Sequence, residues 1–488
     1  MAEIVLRYIR DVKLNNKIRS NFLYNLFYQV FAIIVPIITM PYISRVLGPQ
    51  GIGEYSYTYS NMSYFLLFAA SGTASFAQRE IVRFRSEVNK RNDVFWNIVA
   101  FRTISTVVLF LLYIGFVFSL SSAVDITLYL IESIVLFSCI FDITWYFYGI
   151  ENFKVITIRN VIVKLITTAT IFLFVKESTD LWIYALILSF GTFVGNLVMW
   201  VSIKDIILSL PKVKLELKKL LKPVIELFIP VIAVQIYTVV DKTMLGYFAD
   251  VTQVAYYDQA EKIIKLIITI MGAFYAVLMP RFTDWYKSGK RTELIKYCNK
   301  SIDFTFSLGI PLIIGCCFTS AYFVPWFFGS DYTQVAIIMN ILSPLFVILS
   351  FGQLLGTILV AIYKQNKYTI AVVSAAIINF VFNYIFIRLM NYGALGAAFS
   401  TIIAELVATA IQFYFGRELL NVKYVFHSFI SYLWKASVMG VCLFFLQRVN
   451  CNNFVHICIN VVIGGAVYLL LCIICKYLKC RKKLDCNI

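Results

Sequence analysis

Long apolar runs alternate with short charged connectors along the whole chain. A helix needs about 20 apolar residues to cross a bilayer, and these runs do not show the strict alternation of membrane β-strands. The pattern therefore predicts an all-α integral membrane protein with about fourteen transmembrane helices. The expected spans cover residues 20–44, 54–78, 93–119, 123–148, 154–175, 181–203, 223–248, 254–280, 302–328, 333–363, 368–390, 393–416, 428–447 and 455–477.

The composition agrees with this pattern and excludes a soluble globular protein. Hydrophobic residues make up 60% of the chain and charged residues only 14%, whereas a soluble domain has about a quarter charged residues. The formal net charge of +17 would suggest a nucleic-acid partner in a soluble protein. In a membrane protein, basic residues collect in cytoplasmic loops instead, so we expect contact with the lipid bilayer and no nucleic acid.

The distribution of basic residues predicts the orientation of the chain. If the N-terminus is cytoplasmic, most of the 43 lysines and arginines lie in cytoplasmic connectors or in the C-terminal tail. The connectors on the opposite side contain Arg45, Lys176, Arg388 and Arg448. Because lysine and arginine mark cytoplasmic loops, the pattern predicts an even number of spans with both termini in the cytoplasm.

A long basic connector and a weak internal repeat divide the chain. The connector, KDIILSLPKVKLELKKLLK (Lys204–Lys222), follows the sixth span, and its alternating leucines and lysines predict a segment along the inner membrane surface. RVLG (Arg45–Gly48) follows the first span and KTMLG (Lys242–Gly246) ends the seventh. We therefore expect an N-terminal six-helix lobe over 1–205, a C-terminal six-helix lobe over 206–422, and two extra helices with a basic tail over 423–488.

Repeated helical blocks with an interface between them are typical of transporters that work by alternating access. The expected architecture is two pseudo-symmetric six-helix lobes around a central cavity, plus two C-terminal helices. A bundle without a cavity, such as an assembly or structural protein, is the alternative. Charges inside the spans favour transport, because packing alone does not require them.

Ionisable side chains in and beside the spans indicate the cargo. Each costs roughly 2.5–3.5 kcal/mol at mid-membrane, so it needs a partner or water. The basic ones predict an anionic cargo such as a pyrophosphate, which cations stabilise and arginine can bind bidentately. The predicted substrate-binding residues are Arg45, Arg102, Lys164, Lys242, Lys262 and Lys265. For Arg45, capping of the carbonyls that end the first helix is an equal alternative.

A structural interpretation competes for the other basic residues. Glu261 and Lys265 are four residues apart, as are Asp258 and Lys262, so each pair can neutralise itself on one helix face. Arg102 lies near the start of a span and can extend to the membrane surface.

The sequence contains no motif for enzymatic chemistry. GPQGIG (Gly48–Gly53) follows a membrane span without the strand–helix context of a nucleotide loop, and there is no Walker loop for ATP hydrolysis. Cys472 and Cys475 form a CxxC within the last apolar run without a second pair, which favours a buried apolar role over a metal site. We expect a transporter and not an enzyme, with no cofactor and no bound metal.

Four segments resemble the polysaccharide-repeat flippases of the Wzx type. They are PYISRVLGPQGIGEYS (Pro41–Ser56), DITWYFYGIENF (Asp142–Phe153), LFIPVIAVQIYTVVDKTMLG (Leu227–Gly246) and YGALGAAFSTIIAE (Tyr392–Glu405). These flippases belong to the multidrug/oligosaccharidyl-lipid/polysaccharide exporter superfamily. The resemblance implies two lobes with a V-shaped cationic cavity. It also implies transfer of undecaprenyl-pyrophosphate-linked oligosaccharide to the outer leaflet of the bacterial cytoplasmic membrane, for O-antigen, capsule or exopolysaccharide synthesis.

The resemblance also implies coupling to a proton or sodium gradient, for which Asp142, Asp241 and Glu261 are the candidate residues. A polysaccharide polymerase and a chain-length regulator are the expected protein partners. A multidrug or small-molecule antiporter of the same fold and a lipid II flippase stay open as alternative functions, and a non-transport interaction protein is a more distant one.

Overall fold

The computed structural model describes residues 16–70, 72–120, 126–203, 238–449 and 451–485, together with the single positions 224, 232 and 235. Every regular element in these ranges is helical. Long α-helices are joined by short 3-10 turns, and a π-helical turn covers Tyr384–Leu389. This confirms the predicted all-α membrane architecture.

The chain divides into two compact units, Met1–Val239 and Val240–Ile488. The first contains α1 (Asn16–Ala70), α2 (Thr73–Arg83), α3 (Val88–Ser119), α4 (Ile126–Ser138), α5 (Thr144–Gly149), α6 (Phe153–Phe174) and α7 (Leu181–Val198). The second begins within a helical segment over 238–248 and contains it from residue 240 onward. It continues with α8 (Val251–Lys287), α9 (Arg291–Phe327), α10 (Thr333–Leu342), α11 (Leu345–Ala361), α12 (Gln365–Asn383), α13 (Gly393–Gly416), α14 (Val422–Leu446) and α15 (Asn453–Asp485). The lobe boundaries at 205/206 and 422/423 stay predictions.

The described residues contain eleven helices that are long and apolar enough to span a membrane. The count is up to twelve if the pair Ser330–Leu342 and Leu345–Ala361, bent by 49°, forms one span. The first candidate, Phe27–Arg83, covers the second predicted span and most of the first. The seventh predicted span, 223–248, begins outside the described residues, so the full count of fourteen rests partly on residues that the structure does not describe.

A single residue separates the first two predicted spans. Gly48 has φ 67° and ψ 177°, and α1 is helical on both sides of it. An L side chain rarely adopts a positive φ, so glycine is the residue that permits this break. Two helices therefore meet within α1 at a one-residue break at Gly48, which Pro49 follows at once.

In the first unit, α4 packs against α1, α3 and α7, and the short α5 packs on α2. The contact between α2 and α5 is close, since a Cβ on Gly149 would lie 2.5 Å from Ile81 Cγ2. Phe95 and Trp145 belong to the aromatic cluster beside this contact, with their ring centroids 5.3 Å apart. Small residues at such positions let helix backbones approach each other within a membrane.

In the second unit, α13 packs against α11 and α12, while the last two helices, α14 and α15, pack against α9 and each other. Two side chains cap helices in this unit, which satisfies amides that have no partner inside the helix. Asp250 accepts a hydrogen bond from the amide of Val251 at the start of α8. Asn421 accepts one from the amide of Tyr424 at the start of α14.

Candidate functional site

In the second unit, the buried carboxylate of Asp241 is surrounded by neutral hydrogen-bond donors. Its residue is 2% exposed. Oδ1 accepts hydrogen bonds from Asn379 (2.9 Å) and Asn383 (2.6 Å). Oδ2 accepts hydrogen bonds from Tyr257 (2.5 Å) and Thr401 (3.0 Å). A buried charge needs such compensation, because transfer of an ionised group out of water is costly. The four donors reduce that cost without adding positive charge.

Four helices bring this pocket together. The segment 238–248 carries Asp241, and α8 supplies Tyr257. Asn379 and Asn383 are one turn apart on α12, so they lie on the same face. Thr401 is on α13, and its hydroxyl also bonds the Ala397 carbonyl of the same helix. Asp241 was one of the predicted coupling residues. Its neutral partners were not predicted, because they lie on other spans that are distant in the sequence.

The lysines predicted to bind cargo in this unit form a connected set of ion pairs, which we call the lysine network. Lys242 Nζ lies 2.6 Å from Asp258 Oδ1 and 3.3 Å from Glu261 Oε2. Lys262 pairs with Asp258 at 2.5 Å, and Lys265 pairs with Glu261 at 2.5 Å. Each of the two i,i+4 pairs therefore forms an ion pair on α8, as the structural interpretation expects. Lys242, on the segment 238–248, contacts the carboxylates of both pairs.

The lysine network has a buried acidic side and an accessible basic side. The side chains of Asp258 and Glu261 are 1% and 6% exposed, whereas those of Lys262 and Lys265 are 45% and 40% exposed. Because three ammonium groups share two carboxylates, the set carries one net positive charge. An approaching ligand therefore meets ammonium groups first, which favours an anion.

In the first unit, Arg102 is fully enclosed and fixed by the segment after α4. Its side chain is 1% exposed. Nη1 donates to the Asp142 carbonyl (2.9 Å), and Nη2 donates to Asp142 Oδ2 (3.1 Å) and to Cys139 Sγ (3.2 Å). Arg102 therefore binds protein groups here and does not extend to the membrane surface, which was the alternative expectation from its sequence position.

The DITWYFYG motif explains how this segment is held. Asp142 Oδ1 accepts a hydrogen bond from the Thr144 amide (3.0 Å) at the start of α5, and the Trp145 indole donates to the Asp142 carbonyl (3.0 Å). Arg159 on α6 donates to the Thr144 hydroxyl (2.9 Å). The motif residues thus serve a tight turn, and Arg159, which is not among the predicted site residues, is part of it.

The remaining predicted residues lie elsewhere. Arg45 is exposed on α1, three residues before the kink at Gly48. Lys164 is half-buried on α6, and among the described residues no carboxylate pairs with it. The structure thus brings Lys242, Lys262 and Lys265 into one network, and it places the other three cations on three different helices of the first unit, α1, α3 and α6.

The neutral donors around Asp241 are the residues that sequence analysis missed. A signal for two of them was present, since Asn379 and Asn383 lie four residues apart in an otherwise apolar span. Glu132 on α4 is another buried carboxylate, with one hydrogen bond from Thr58 (2.9 Å). Within the described residues, no group of three or more His, Cys, Asp or Glu side chains is arranged to hold a metal ion.

The fold resembles that of solved transporters. The structure of the lipid II flippase MurJ in its inward closed conformation superposes with a TM-score of 0.76 at 19% identity, covering 93% of this chain and 98% of that chain. A MatE family model also matches residues 227–385. The class that the fold defines is an all-helical, multi-pass membrane protein with the architecture of these transporters.

The chain belongs to the polysaccharide biosynthesis protein family, whose model matches residues 18–285. A protein of Escherichia coli strain K12, provisionally named an O-antigen transporter, is 22% identical over 422 residues, which cover 82% of this chain and 97% of that protein. A Haloferax volcanii protein, provisionally named a flippase of low-salt glycan biosynthesis, is 23% identical over 234 residues, covering 48% of this chain and 49% of that protein. Family and fold confirm the prediction of a transporter and not an enzyme.

Proposed function

We propose that this protein is a flippase that moves undecaprenyl-pyrophosphate-linked oligosaccharide repeat units across the bacterial cytoplasmic membrane by alternating access. The observation that carries the proposal is the accessible basic side of the lysine network, in a member of the polysaccharide biosynthesis protein family. The diphosphate of such a cargo is a compact anion, and ammonium groups stabilise it as point charges. The E. coli relative supports an O-antigen type of substrate.

In this proposal the lysine network holds the diphosphate by exchanging partners. A diphosphate oxygen that approaches Lys262 or Lys265 competes with Asp258 or Glu261 for the same ammonium group. Release of the cargo lets each i,i+4 pair form again, so the network binds without leaving a cation unpaired in either state. Arg45, Arg102 and Lys164 in the first unit stay predicted cargo contacts.

Asp241 is the proposed coupling residue. Asp142 and Glu261, the other two candidates, already pair with Arg102 and with lysines. All of the described side chains that donate hydrogen bonds to Asp241 are neutral, so a proton or a sodium ion would balance its negative charge. Side-chain amide and hydroxyl oxygens around it are ligands that suit a hard cation. A gradient of that ion across the membrane would then drive the transport cycle.

The proposal includes the orientation expected from the basic connectors, with both termini in the cytoplasm. Cargo would then enter from the leaflet where the sugars are assembled. A polysaccharide polymerase and a chain-length regulator are the proposed partners on the other side.

Export in cells tests the proposal. We would delete the gene, restore it as single and double variants, and measure surface polymer together with the amount of protein in the membrane. The Lys262→Ala/Lys265→Ala variant is expected to lose most polymer, the double arginine variant to keep it, and Lys296→Ala, an exposed lysine on α9, to match wild type. Normal polymer from the double alanine variant at normal protein level would refute the cargo assignment.

Two other functions would give different results in the same strains. A lipid II flippase, which the MurJ fold similarity favours, would make the deletion lethal in an otherwise intact cell. A multidrug antiporter, which the MatE match favours, would give drug resistance on overexpression and leave surface polymer normal after deletion.

A further inference from the structure

A cavity lined by both polar and apolar side chains lies between α9, α14 and α15. It has a volume of about 590 Å³. We call it the C-terminal cleft and define it by Asp303, Ser428, Ser431, Lys435, Tyr468 and Lys476. None of these residues has a part in the proposed transport steps, so the cleft needs an explanation of its own.

Lys435 provides a buried positive charge in the cleft. It lies in the middle of α14 and is 6% exposed. Its Nζ donates to the Ser431 hydroxyl at 3.1 Å and lies 4.5 Å from the centroid of the Tyr432 ring. Helix side chains lean toward the N-terminus of their helix. The ammonium group therefore points toward the membrane face at which α14 begins.

Asp303 provides a negative charge nearer that face. Its carboxylate accepts hydrogen bonds from the Tyr424 hydroxyl and from the Ser428 hydroxyl, each at 2.5 Å. A carboxylate has about four acceptor positions, so two remain for another donor. The contact of Lys435 with Ser431, and not with this carboxylate, keeps the two opposite charges apart.

The separation of the two charges follows from the helix geometry. Asp303 binds α14 at the level of residues 424–428, and the Lys435 ammonium lies at the level of Ser431. With a rise of about 1.5 Å per residue, the charges are about 7 Å apart along the helix axis. A ligand that carries an anion and a cation a short distance apart would satisfy both.

The surroundings of the cleft indicate that this ligand is a lipid. Leu308 on α9 and Leu469 on α15 line the cleft and are 40% and 60% exposed, as expected for side chains that face acyl chains. We infer that the C-terminal cleft binds the headgroup of a zwitterionic phospholipid with a primary amine, such as phosphatidylethanolamine. Lys435 and Ser431 hold the phosphate by charge-assisted hydrogen bonds, and Asp303 accepts from the ammonium group.

Native mass spectrometry of the purified full-length protein tests this site. Dioleoyl phosphatidylethanolamine, phosphatidylglycerol and phosphatidylcholine would be added separately at equal concentrations, and the bound fraction measured. The ethanolamine lipid is expected to bind best, because phosphatidylglycerol has no cation for Asp303 and choline cannot donate a hydrogen bond. Equal binding of all three lipids would overturn the inference. Displacement of the ethanolamine lipid by an equal concentration of inorganic phosphate would overturn it as well.

Variants separate the two contacts. Lys435→Ala is expected to weaken binding of the ethanolamine lipid at least about tenfold, as for loss of a hydrogen bond to a charged group, and Lys435→Arg to restore it. Asp303→Asn should abolish the preference over phosphatidylcholine while leaving phosphatidylglycerol binding unchanged. Lys423→Ala, an exposed lysine at the start of α14, is the matched control. A loss with Lys423→Ala as large as that with Lys435→Ala would contradict a specific site.

Discussion

Two kinds of buried carboxylate occur at the residue scale, and their partners separate their roles. Asp258 and Glu261 face lysine ammonium groups, so their charge is balanced within the protein. Asp241 faces two asparagines, a tyrosine and a threonine, which stabilise a charge without balancing it. A carboxylate of the second kind is suited to take up and release a cation, since its net charge changes with each event.

Asp241→Asn separates charge from hydrogen bonding at this position. The amide can keep part of the bonding with Tyr257 and Thr401 but cannot balance a cation, so we expect normal folding and loss of the response to an imposed ion gradient. Transport in proteoliposomes, measured with and without sodium and proton gradients, reads this out. Asp331→Asn, at an exposed carboxylate, should respond as wild type. A gradient response of Asp241→Asn equal to wild type would exclude Asp241 as the coupling residue.

Arg102→Ala tests the enclosed ion pair of the first unit. Removal of one partner of a buried pair costs about 3–5 kcal/mol, and we expect the lower end, because the Asp142 side chain is 28% exposed. Thermal unfolding in detergent should show a clearly lower Tm. Arg102→Lys should recover part of it, since lysine cannot reproduce the planar contacts to carbonyl and carboxylate. Arg79→Ala, whose side chain is 60% exposed, should change Tm little, and an equal loss there would argue against a specific pair.

At the scale of elements, single residues set where helices break and how closely they pack. The positions of the described spans were predictable from the apolar runs, because bilayer thickness dictates their length. For example, 154–175 was expected and α6 covers Phe153–Phe174. Some ends were not predictable, since α9 begins at Arg291 and the expected span begins at 302. The pairs Asp258–Lys262 and Glu261–Lys265 were also predictable, because they depend on spacing along one helix. The contact of Lys242 with both carboxylates was not predictable, because it depends on how the segment 238–248 packs against α8.

Gly48→Ala tests the kink in α1. The substitution meets no atom within 4 Å, so its cost comes from the positive φ alone and should be about 1–3 kcal/mol. Gly115→Ala is the matched control, since that glycine also has open space but lies in regular helix, where alanine is favoured by roughly 0.5–1 kcal/mol. Unfolding of the two variants under identical conditions should therefore shift in opposite directions. Equal shifts would mean that the kink does not require glycine.

Gly149→Ala tests the contact between α2 and α5. The new Cβ would lie 2.5 Å from Ile81 Cγ2, so one helix must move, at a cost of about 1–3 kcal/mol. Ile81→Gly removes both side-chain atoms that the new Cβ would meet, Cγ2 and the Cβ of Ile81 at 2.7 Å. A double-mutant cycle should therefore show that Gly149→Ala is much less harmful in the Ile81→Gly background. Additive effects of the two changes would show that the clash is relieved elsewhere.

At the scale of the whole molecule, family and fold define a transporter, and the charged clusters give the proposal for its cargo. The transporter class was predictable, because composition, span number and buried charges all point the same way. The identity of the sugar was not predictable from the sequence, because sugar recognition depends on side chains from several spans. In the proposed cycle, the lysine network binds the diphosphate, and Asp241 sets its affinity through the coupling ion. The coupling residue and the lysine network are adjacent in the sequence, since Lys242 follows Asp241 directly.

Flipping of a fluorescently labelled undecaprenyl-pyrophosphate-linked oligosaccharide in proteoliposomes tests the proposed function most directly. Label that reaches the outer leaflet becomes accessible to a membrane-impermeant quencher. We expect wild-type protein to flip the lipid in a gradient-dependent manner, and Lys262→Ala/Lys265→Ala to reduce the rate to that of protein-free vesicles. A wild-type rate no faster than that of protein-free vesicles would contradict the proposed function. An equal rate for the double variant would contradict the role of the lysine network.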